Sequence, residues 1–448
     1  MTDNADICYN THVLVKNAYM ARSEYIKRIC DEELAFQLEC AGAVVVQGPK
    51  WCGKTRTSEE MARSVVKLQD PLRKKEYHQI AQTMPSLLLE GDSPRLIDEW
   101  QDEPDLWNLV RGTVDERGGA GHFILTGSAV PRDEKDDDKE PPRHSGTGRF
   151  AWLKMRPMSL AESGESTGVV SLGALFEGGD EISATSKVTV PDYAHLICRG
   201  GWPEAVLAKS HRVAYQKSIN YVEAVINEDV HRVDGVERNP ALVRLVLRSL
   251  ARNITTLTAT QTILGDIRNH MPTTSIKTLD SYLNALRRIF VIEDEPAWMP
   301  SIRSKTAIRT SHKRQLADPS IATAILGIKP ERLLKDFSLF GFLFESMCVR
   351  DMRVYAQAND GEVLHYRDAS GQEIDMVVSL RDGRWGAVEV KLGGGQIEEA
   401  SRNLLALKER VDSESMGSPS FLMVLTGTGF AYRRTDGIFV VPLGCLRQ

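Results

Sequence analysis

The run Gly48-Pro49-Lys50-Trp51-Cys52-Gly53-Lys54-Thr55 carries the chemistry of phosphate binding. It fits G-x-x-x-x-G-K-[ST] in full. The glycines let a loop fold tightly enough to turn backbone N–H groups inward on phosphate oxygens. Lys54 can then reach the β- and γ-phosphates, and the Thr55 hydroxyl can ligate Mg2+. Further along, Asp98-Glu99 closes the apolar pair Leu96-Ile97. Asp98 is placed to hold Mg2+ through water, and Glu99 to orient and deprotonate an attacking water. A third run, Phe123-Ile124-Leu125-Thr126-Gly127-Ser128, ends in small hydroxyl residues. Ser128, with Thr126 as second choice, is expected to sense the terminal phosphate and position the water. These residues predict hydrolysis of ATP with Mg2+ as cofactor.

A second constellation lies near the other end. Asp375 and Glu389-Val390-Lys391 have D-x13-E-x-K spacing on strand-like runs, and Glu345 stands on a preceding helical run. A hairpin can bring two such carboxylates together on a divalent metal, while the lysine stabilises or activates a hydrolytic water. The arrangement resembles the PD-(D/E)xK nuclease family, with Ile374 where a proline commonly precedes the aspartate. Two readings stay open: an active nuclease, or a degenerate fold kept for DNA binding.

Cations supply a third set. Lys277, Arg287 and Arg288 lie on one helical run, beside the hydroxyls of Ser275 and Thr278. Residues 301–329 hold Arg303, Lys305, Arg309, Lys313, Arg314 and Lys329 against a single acid, Asp318. Lys277, Arg287, Arg288, Lys313 and Arg314 are therefore expected to contact DNA phosphates. The alternative is that the helical trio around them serves protein contacts.

The elements that must position these residues follow from periodicity. Residues 43–46, 95–98 and 123–126 are short apolar runs of the kind that form buried strands. A helix is expected over 55–66 and another over 104–116. Short strands alternating with helices predict a parallel α/β layer. Residues 132–148 are dense in charge and then proline, and 164–187 are rich in Gly, Ser and Glu; both read as loops. Helical patterns return over 192–228 and, with polar breaks, over 240–290: one helix with Leu242, Leu245, Val246 and Leu250 on one face, then 258–269 and 275–288. The last three, followed by the apolar residues 289–292, resemble a winged helix. From about residue 337 a helix leads into strand-like runs at 363–366, 373–379, 385–391 and 421–425, with a helix over 396–411.

Composition sets outer bounds. The chain has 448 residues and a net charge of −5, so any nucleic-acid contact needs a local basic surface. Its seven cysteines include no C-x-x-C pair, which speaks against a disulfide framework or a structural zinc site. The polar residues 1–10 lack the build of a signal peptide, and no apolar run is long enough to span a bilayer. A cytoplasmic protein with no membrane partner is expected.

These motifs, together with Gly148-Arg149-Phe150, Arg156-Pro157-Met158-Ser159-Leu160-Ala161-Glu162, Gly200-Gly201-Trp202-Pro203-Glu204, Glu228-Asp229-Val230, Phe340-Gly341-Phe342-Leu343-Phe344-Glu345 and Glu373-Ile374-Asp375, closely resemble a bacterial and archaeal family of AAA-type P-loop ATPases with an uncharacterised C-terminal domain. The resemblance implies an α/β fold with four parts. They are an AAA-like core over 1–190, a helical lid over 191–235, a winged-helix domain over 236–330 and a restriction-endonuclease-like domain over 331–448. It also implies a homo-oligomeric ring, a hexamer by preference. In it Arg149 is the arginine finger offered to a neighbour's γ-phosphate, with Arg143 as second candidate. The chain departs from the family at the long charged insert and at Leu316-Ala317-Asp318-Pro319, where an aromatic-Asp-Thr-Gly segment is usual. The leading expectation for function is an ATPase that binds and remodels DNA, branched forms such as Holliday junctions included. The alternatives are an ATP-dependent signalling switch with protein partners, and an ATP-gated, Mg-dependent nuclease used in defence.

Overall fold

The computed structural model describes residues 25–129, 146–179, 182–301 and 308–448. Arg143, Arg303 and Lys305 lie outside them, as does most of the charged insert. The first layer is a five-stranded parallel sheet of β1 (Ala43–Gln47), β2 (Ser64–Lys67), β3 (Arg95–Asp98), β4 (Phe123–Gly127) and β5 (Phe150–Lys154), in the order β2-β3-β4-β1-β5. β1 is buried along Ala43–Val46 because both faces are covered, which is why it reads as a continuous apolar run rather than an alternating one. Helix α1 (Cys30–Cys40) precedes it, and α2 (Lys54–Met61), α3 (Lys74–Thr83) and α4 (Leu106–Arg117) follow. The helix expected over 55–66 stops at Met61. Ala62 is extended (φ −79°, ψ 140°), and the branched pair Val65-Val66 continues as the edge strand β2.

The residues expected to form a loop over 164–187 are structured in part. Val170–Ser171 (β6) pairs with the C-terminal Leu446–Arg447, and Ala184–Thr185 (β7) pairs with a strand near the chain end. Two residues can join a sheet without any period visible in the sequence, so the Gly- and Ser-rich composition dominated the reading. The same segment places residues within 1–190 on the C-terminal sheet rather than on the phosphate-loop sheet.

The helices α5 (Val190–Arg199), α6 (His211–Ala224), α7 (Pro240–Arg252), α8 (Thr260–Arg268) and α9 (Ile276–Arg288) follow. Residues 225–229 form a π-helical turn at the end of α6. Ser275 caps α9 by accepting the Thr278 N–H. After α9 the chain turns through Phe290 (φ 59°), and Ile292 and Glu295 make antiparallel bridges to Leu316 and Lys313. Helices α10 (Pro319–Leu326) and α11 (Phe337–Gln357) lead to a seven-stranded mixed sheet, β7-β12-β13-β11-β10-β9-β8. Its further strands are β8 (Gly361–Arg367), β9 (Glu373–Leu380), β10 (Trp385–Lys391), β11 (Phe421–Thr426), β12 (Phe430–Arg433) and β13 (Phe439–Pro442), with α12 (Ile397–Arg410) between β10 and β11.

Strand periodicity divides this sheet between two cores. Met376, Val378, Val388, Met423 and Val441 face α11, in one core with the helices of residues 190–328. Ile374, Val377, Ala387, Val424 and Val440 face Ala400, Leu404 and Leu407 of α12. Each fully buried Leu or Val here contributes about 1.5–3 kcal/mol. The phosphate-loop sheet has two separate cores of its own.

Candidate functional site

The phosphate loop joins the carboxyl end of β1 to the N-terminus of α2, where an open parallel sheet presents its ligand crevice. Two glycines make this shape feasible. A Cβ on Gly48 would stand 2.0 Å from the Met155 carbonyl oxygen, and Gly53 turns into the helix at φ 106°. Lys54 Nζ donates to the Gly48 and Pro49 carbonyls, each at 2.9 Å, so the ammonium is folded over the loop it serves. The Cys52 thiol faces the Met155 carbonyl, and the Trp51 ring leans on Tyr221 at 6.1 Å. Pro49, Trp51 and Cys52 thus shape the loop.

Asp98 ends β3 beside β4, as the parallel register requires. Its Oδ1 accepts from Thr55 Oγ1 at 2.7 Å and from Thr126 Oγ1 at 2.6 Å. Burial raises its pKa, opposed by those two hydroxyls. Glu99 follows in the left-handed region (φ 58°, ψ 47°), and its N–H donates to Thr126 Oγ1 at 3.1 Å. This strained turn aims the Glu99 carboxylate away from Asp98. Ser128 Oγ donates to Glu99 Oε2 at 2.9 Å, and the Gln101 amide donates to the same oxygen. The two hydroxyls therefore divide the work: Thr126 holds Asp98, and Ser128 holds Glu99. A cavity of about 590 Å³ is lined by Lys54, Thr55 and Glu99 at its polar end and by Tyr25, Pro203 and Leu207 at the other. Its size and mixed lining suit a nucleotide.

Several contributors were not singled out in the sequence. Gln101 is one. Arg28 is another: it is buried, its Nη1 donates to the Cys52 carbonyl at 2.7 Å, and its Nε donates to Glu162 Oε1 at 2.9 Å. Glu162 also accepts the Ile29 and Ser159 N–H groups, which gives the Ser159-Leu160-Ala161-Glu162 segment a bracing role behind the loop. Arg28, Glu33 and Lys154 share that rear face. Asp229, in the π-helical turn, takes Lys50 Nζ at 2.5 Å. Lys50, Gln101, Ser128 and Asp229 line a second cavity of about 380 Å³ beside the first. A polar residue two positions after Glu99 was visible in the sequence; the Lys50–Asp229 pairing was not.

Arg149 lies at the far end of β5 from the loop, since Lys154, five residues later, is the residue paired with Gln47. The separation along the strand is roughly 15 Å. Its guanidinium is half-exposed and paired with Asp115 Oδ1 at 2.7 Å. It cannot reach the phosphate loop of its own chain.

The second constellation does assemble. Lys391 Nζ lies 2.8 Å from Glu389 Oε2 and 3.7 Å from Asp375 Oδ2, and Asp375 Oδ2 accepts the Val390 N–H at 2.8 Å. Glu345 arrives from α11. Burial raises both Glu345 and Glu389, opposed by Lys313 at the first and Lys391 at the second. The site also holds Lys313, expected on a DNA-facing surface. Its side chain is buried, with Nζ 2.5 Å from Glu345 Oε1 and 3.7 Å from Asp375 Oδ1. Arg314 is likewise buried: it pairs with Asp294 at 3.0 Å and donates to the Thr258 carbonyl and the Thr260 hydroxyl. Neither can meet a phosphate backbone. Both sit on a segment that crosses from the helical region to the C-terminal sheet, so these two charges are turned inward, while Arg309 and Lys329 of the same stretch are exposed. Arg287 pairs with Asp294 at 2.9 Å and Arg288 with Asp234 at 3.6 Å. Lys277 is exposed on α9. Asp318, the lone acid of the stretch, is buried, accepts the Gly201 N–H and pairs with Arg350 at 2.9 Å.

Comparison with known proteins divides the chain in three. Residues 41–164 match a family described as AAA domain. Residues 190–332 and 340–446 match two families, each described as a domain of unknown function. The uncharacterized proteins Mb2031c of Mycobacterium bovis and Rv2008c of Mycobacterium tuberculosis are each 23% identical over 356 residues, 79% of this chain and 71% of theirs. Among solved structures, the Walker-type ATPase of Pyrococcus abyssi is 15% identical, with 66% of this chain and 94% of that chain covered at a TM-score of 0.39. A signal-transduction ATPase with numerous domains from Pyrococcus horikoshii is 12% identical, with 75% and 50% covered at 0.23. At those scores the structural likenesses carry no functional weight. The AAA match covers the phosphate loop, Asp98-Glu99, Ser128 and Arg149, so this part of the chain is a P-loop ATPase domain.

Proposed function

We propose that the chain is an ATP-hydrolysing switch whose nucleotide state is passed to the helical and C-terminal region. Thr55 Oγ1 and Asp98 Oδ1, adjacent and both anchored, fit a Mg2+ ion, and that ion would supply charge neutralisation on the phosphate oxygens. The chain's own groups do the rest. Lys54 and the loop N–H groups bind and orient the triphosphate. Glu99, held by Ser128 and Gln101, takes a proton from water as its oxygen attacks the γ-phosphorus. The bond between that phosphorus and the β–γ bridging oxygen breaks, and the bridging oxygen keeps the electron pair on ADP.

The observation that carries the switch reading is the ion pair between Lys50 of the phosphate loop and Asp229 at the end of α6. Lys50 shares a cavity with Gln101 and Ser128, on the side where Glu99 is held. A terminal phosphate there competes with Asp229 for the lysine. The contacts between the phosphate-loop layer and the rest include polar ones, among them Arg156 with Glu293 at 2.7 Å and Gln357 with the Lys154 carbonyl at 3.0 Å. Polar seams of this kind are suited to relative motion. The proposal includes self-association, with Arg149 serving a neighbouring subunit. DNA remodelling is the weaker reading, because four of its five chosen cations are engaged within the chain and Lys277 remains.

The test is ATP binding and turnover in Lys54→Ala and Glu99→Gln. Lys54→Ala should weaken binding and abolish turnover. Glu99→Gln should bind ATP normally and fail to hydrolyse it, since an amide takes no proton. Normal turnover in Glu99→Gln would remove Glu99 as the base.

A further inference from the structure

The C-terminal carboxylate cluster has the make-up of a divalent-metal site, yet its donors are already spoken for. Lys313 Nζ stands 2.5 Å from Glu345 Oε1, 3.7 Å from Asp375 Oδ1 and 3.8 Å from Glu373 Oε1. The other Asp375 oxygen faces Lys391, which also takes Glu389. Each carboxylate of the expected metal set is thereby committed to an ammonium group. Among the described residues, no three His, Cys, Asp or Glu side chains converge where one metal ion could be held.

Lys313 is not a surface side chain that happened to fold in. Its N–H donates to the Glu295 carbonyl at 2.9 Å, and its own carbonyl accepts the Glu295 N–H at 2.9 Å. Its side chain is 1% exposed. The backbone is therefore fixed on both sides, and the ammonium has no route to solvent that leaves this pairing intact. A divalent ion entering the cluster would sit within a few ångströms of the buried Lys313 ammonium, which repels it. Removing Lys313 instead would leave Glu345 without its ammonium partner and Asp375 with Lys391 alone, an excess of carboxylates that favours taking up a cation.

We propose that Lys313 is the resident cation of this cluster, so that the C-terminal site takes up no divalent metal and cleaves no DNA by a metal-bound water. The fold-level expectation of a Mg-dependent nuclease does not fit the residues present. This inference is independent of the switch reading, since it concerns none of the phosphate-loop residues.

The experiment is Mn2+ binding followed by electron paramagnetic resonance on the full chain without nucleotide. An Asp98→Asn background removes the carboxylate through which the phosphate-loop site would hold the ion. With Lys313 in place, Asp375→Asn should change nothing up to millimolar Mn2+. Lys313→Met should gain a Mn2+ site at least tenfold tighter, lost again in Lys313→Met/Asp375→Asn. Mn2+ binding that depends on Asp375 while Lys313 is present would overturn the proposal. So would a folded Lys313→Met that gains no site. Should Lys313→Met fail to fold, the effect of Asp375→Asn on Mn2+ binding with Lys313 retained decides alone.

Discussion

At the scale of single residues, the proposed nucleotide site gives each of its two carboxylates its own hydrogen-bond partners. Asp98 is held by Thr55 and Thr126 in a buried setting, and Glu99 is turned the other way by its left-handed backbone and held by Ser128 and Gln101. Lys50 adds the one charge in the loop that is paired outside it. That pair is partly exposed, so it contributes about 0.5–1 kcal/mol. If a terminal phosphate competes with Asp229 for Lys50, Asp229→Asn should tighten ATP by about twofold to fivefold and leave ADP nearly unchanged. Calorimetric titration with the two nucleotides reads the difference. Equal shifts for ATP and ADP, or none, would remove Asp229 from the phosphate-sensing role.

At the scale of elements, the segment 308–318 ties the helical region to the C-terminal sheet. It bridges to Glu295 through Lys313 and to Ile292 through Leu316, and Ile308 bridges to Asp368. His365 on β8 secures it: its Nε2–H donates to the Ser311 carbonyl at 2.9 Å, while Nδ1 is buried with no partner. Burial, with Lys313, His312 and Arg367 nearby, pushes His365 down to about 4. The unfolded chain has a histidine near 6.5, so it binds the extra proton first as pH falls. Stability from this group is full above about pH 6.5 and is lost as pH falls toward 4, by up to about 2–3 kcal/mol. Urea midpoints at pH 7.5 and 5 should differ less in His365→Gln than in the unaltered protein. Identical differences would mean that His365 is already protonated in the fold.

At the scale of the whole molecule, the helices of residues 190–328, helix α11 and one face of the C-terminal sheet share a single apolar core. The phosphate-loop sheet meets this body in part through charges: Arg156 and Lys154 with Glu293. Burial alone would raise Glu293, but Arg156, Lys154 and Arg353 outweigh it and hold the carboxyl well below the usual range. Arg149 lies roughly 15 Å along the strand from its own loop, and in the proposed self-association it serves a neighbour's nucleotide. Arg149→Ala should retain ATP binding and lose turnover by about 10³-fold or more. Mixing it with Glu99→Gln should restore part of the activity, because some interfaces then combine an intact Glu99 with an intact Arg149. Turnover that stays absent at every mixing ratio would speak against a shared site.

The sequence by itself determined the phosphate site, the parallel layer beneath it and most of the C-terminal strands. Each of these is local: a contiguous loop motif carries its own geometry, and a buried parallel strand announces itself as an apolar run. The Asp375, Glu389 and Lys391 grouping was legible for the same reason, since adjacent strands set their spacing. Only the tertiary structure decided where the remaining charges point. Lys50 finds its partner 179 residues away, Arg28 finds Glu162 across 134, and Lys313 reaches Glu345 across 32. No periodicity encodes such pairings, and a basic stretch reads the same whether it faces water or buried carboxylates. The edge strands β2, β6 and β7 escaped for a related reason: so few residues carry no period, and their pairing is set by the neighbour that receives them.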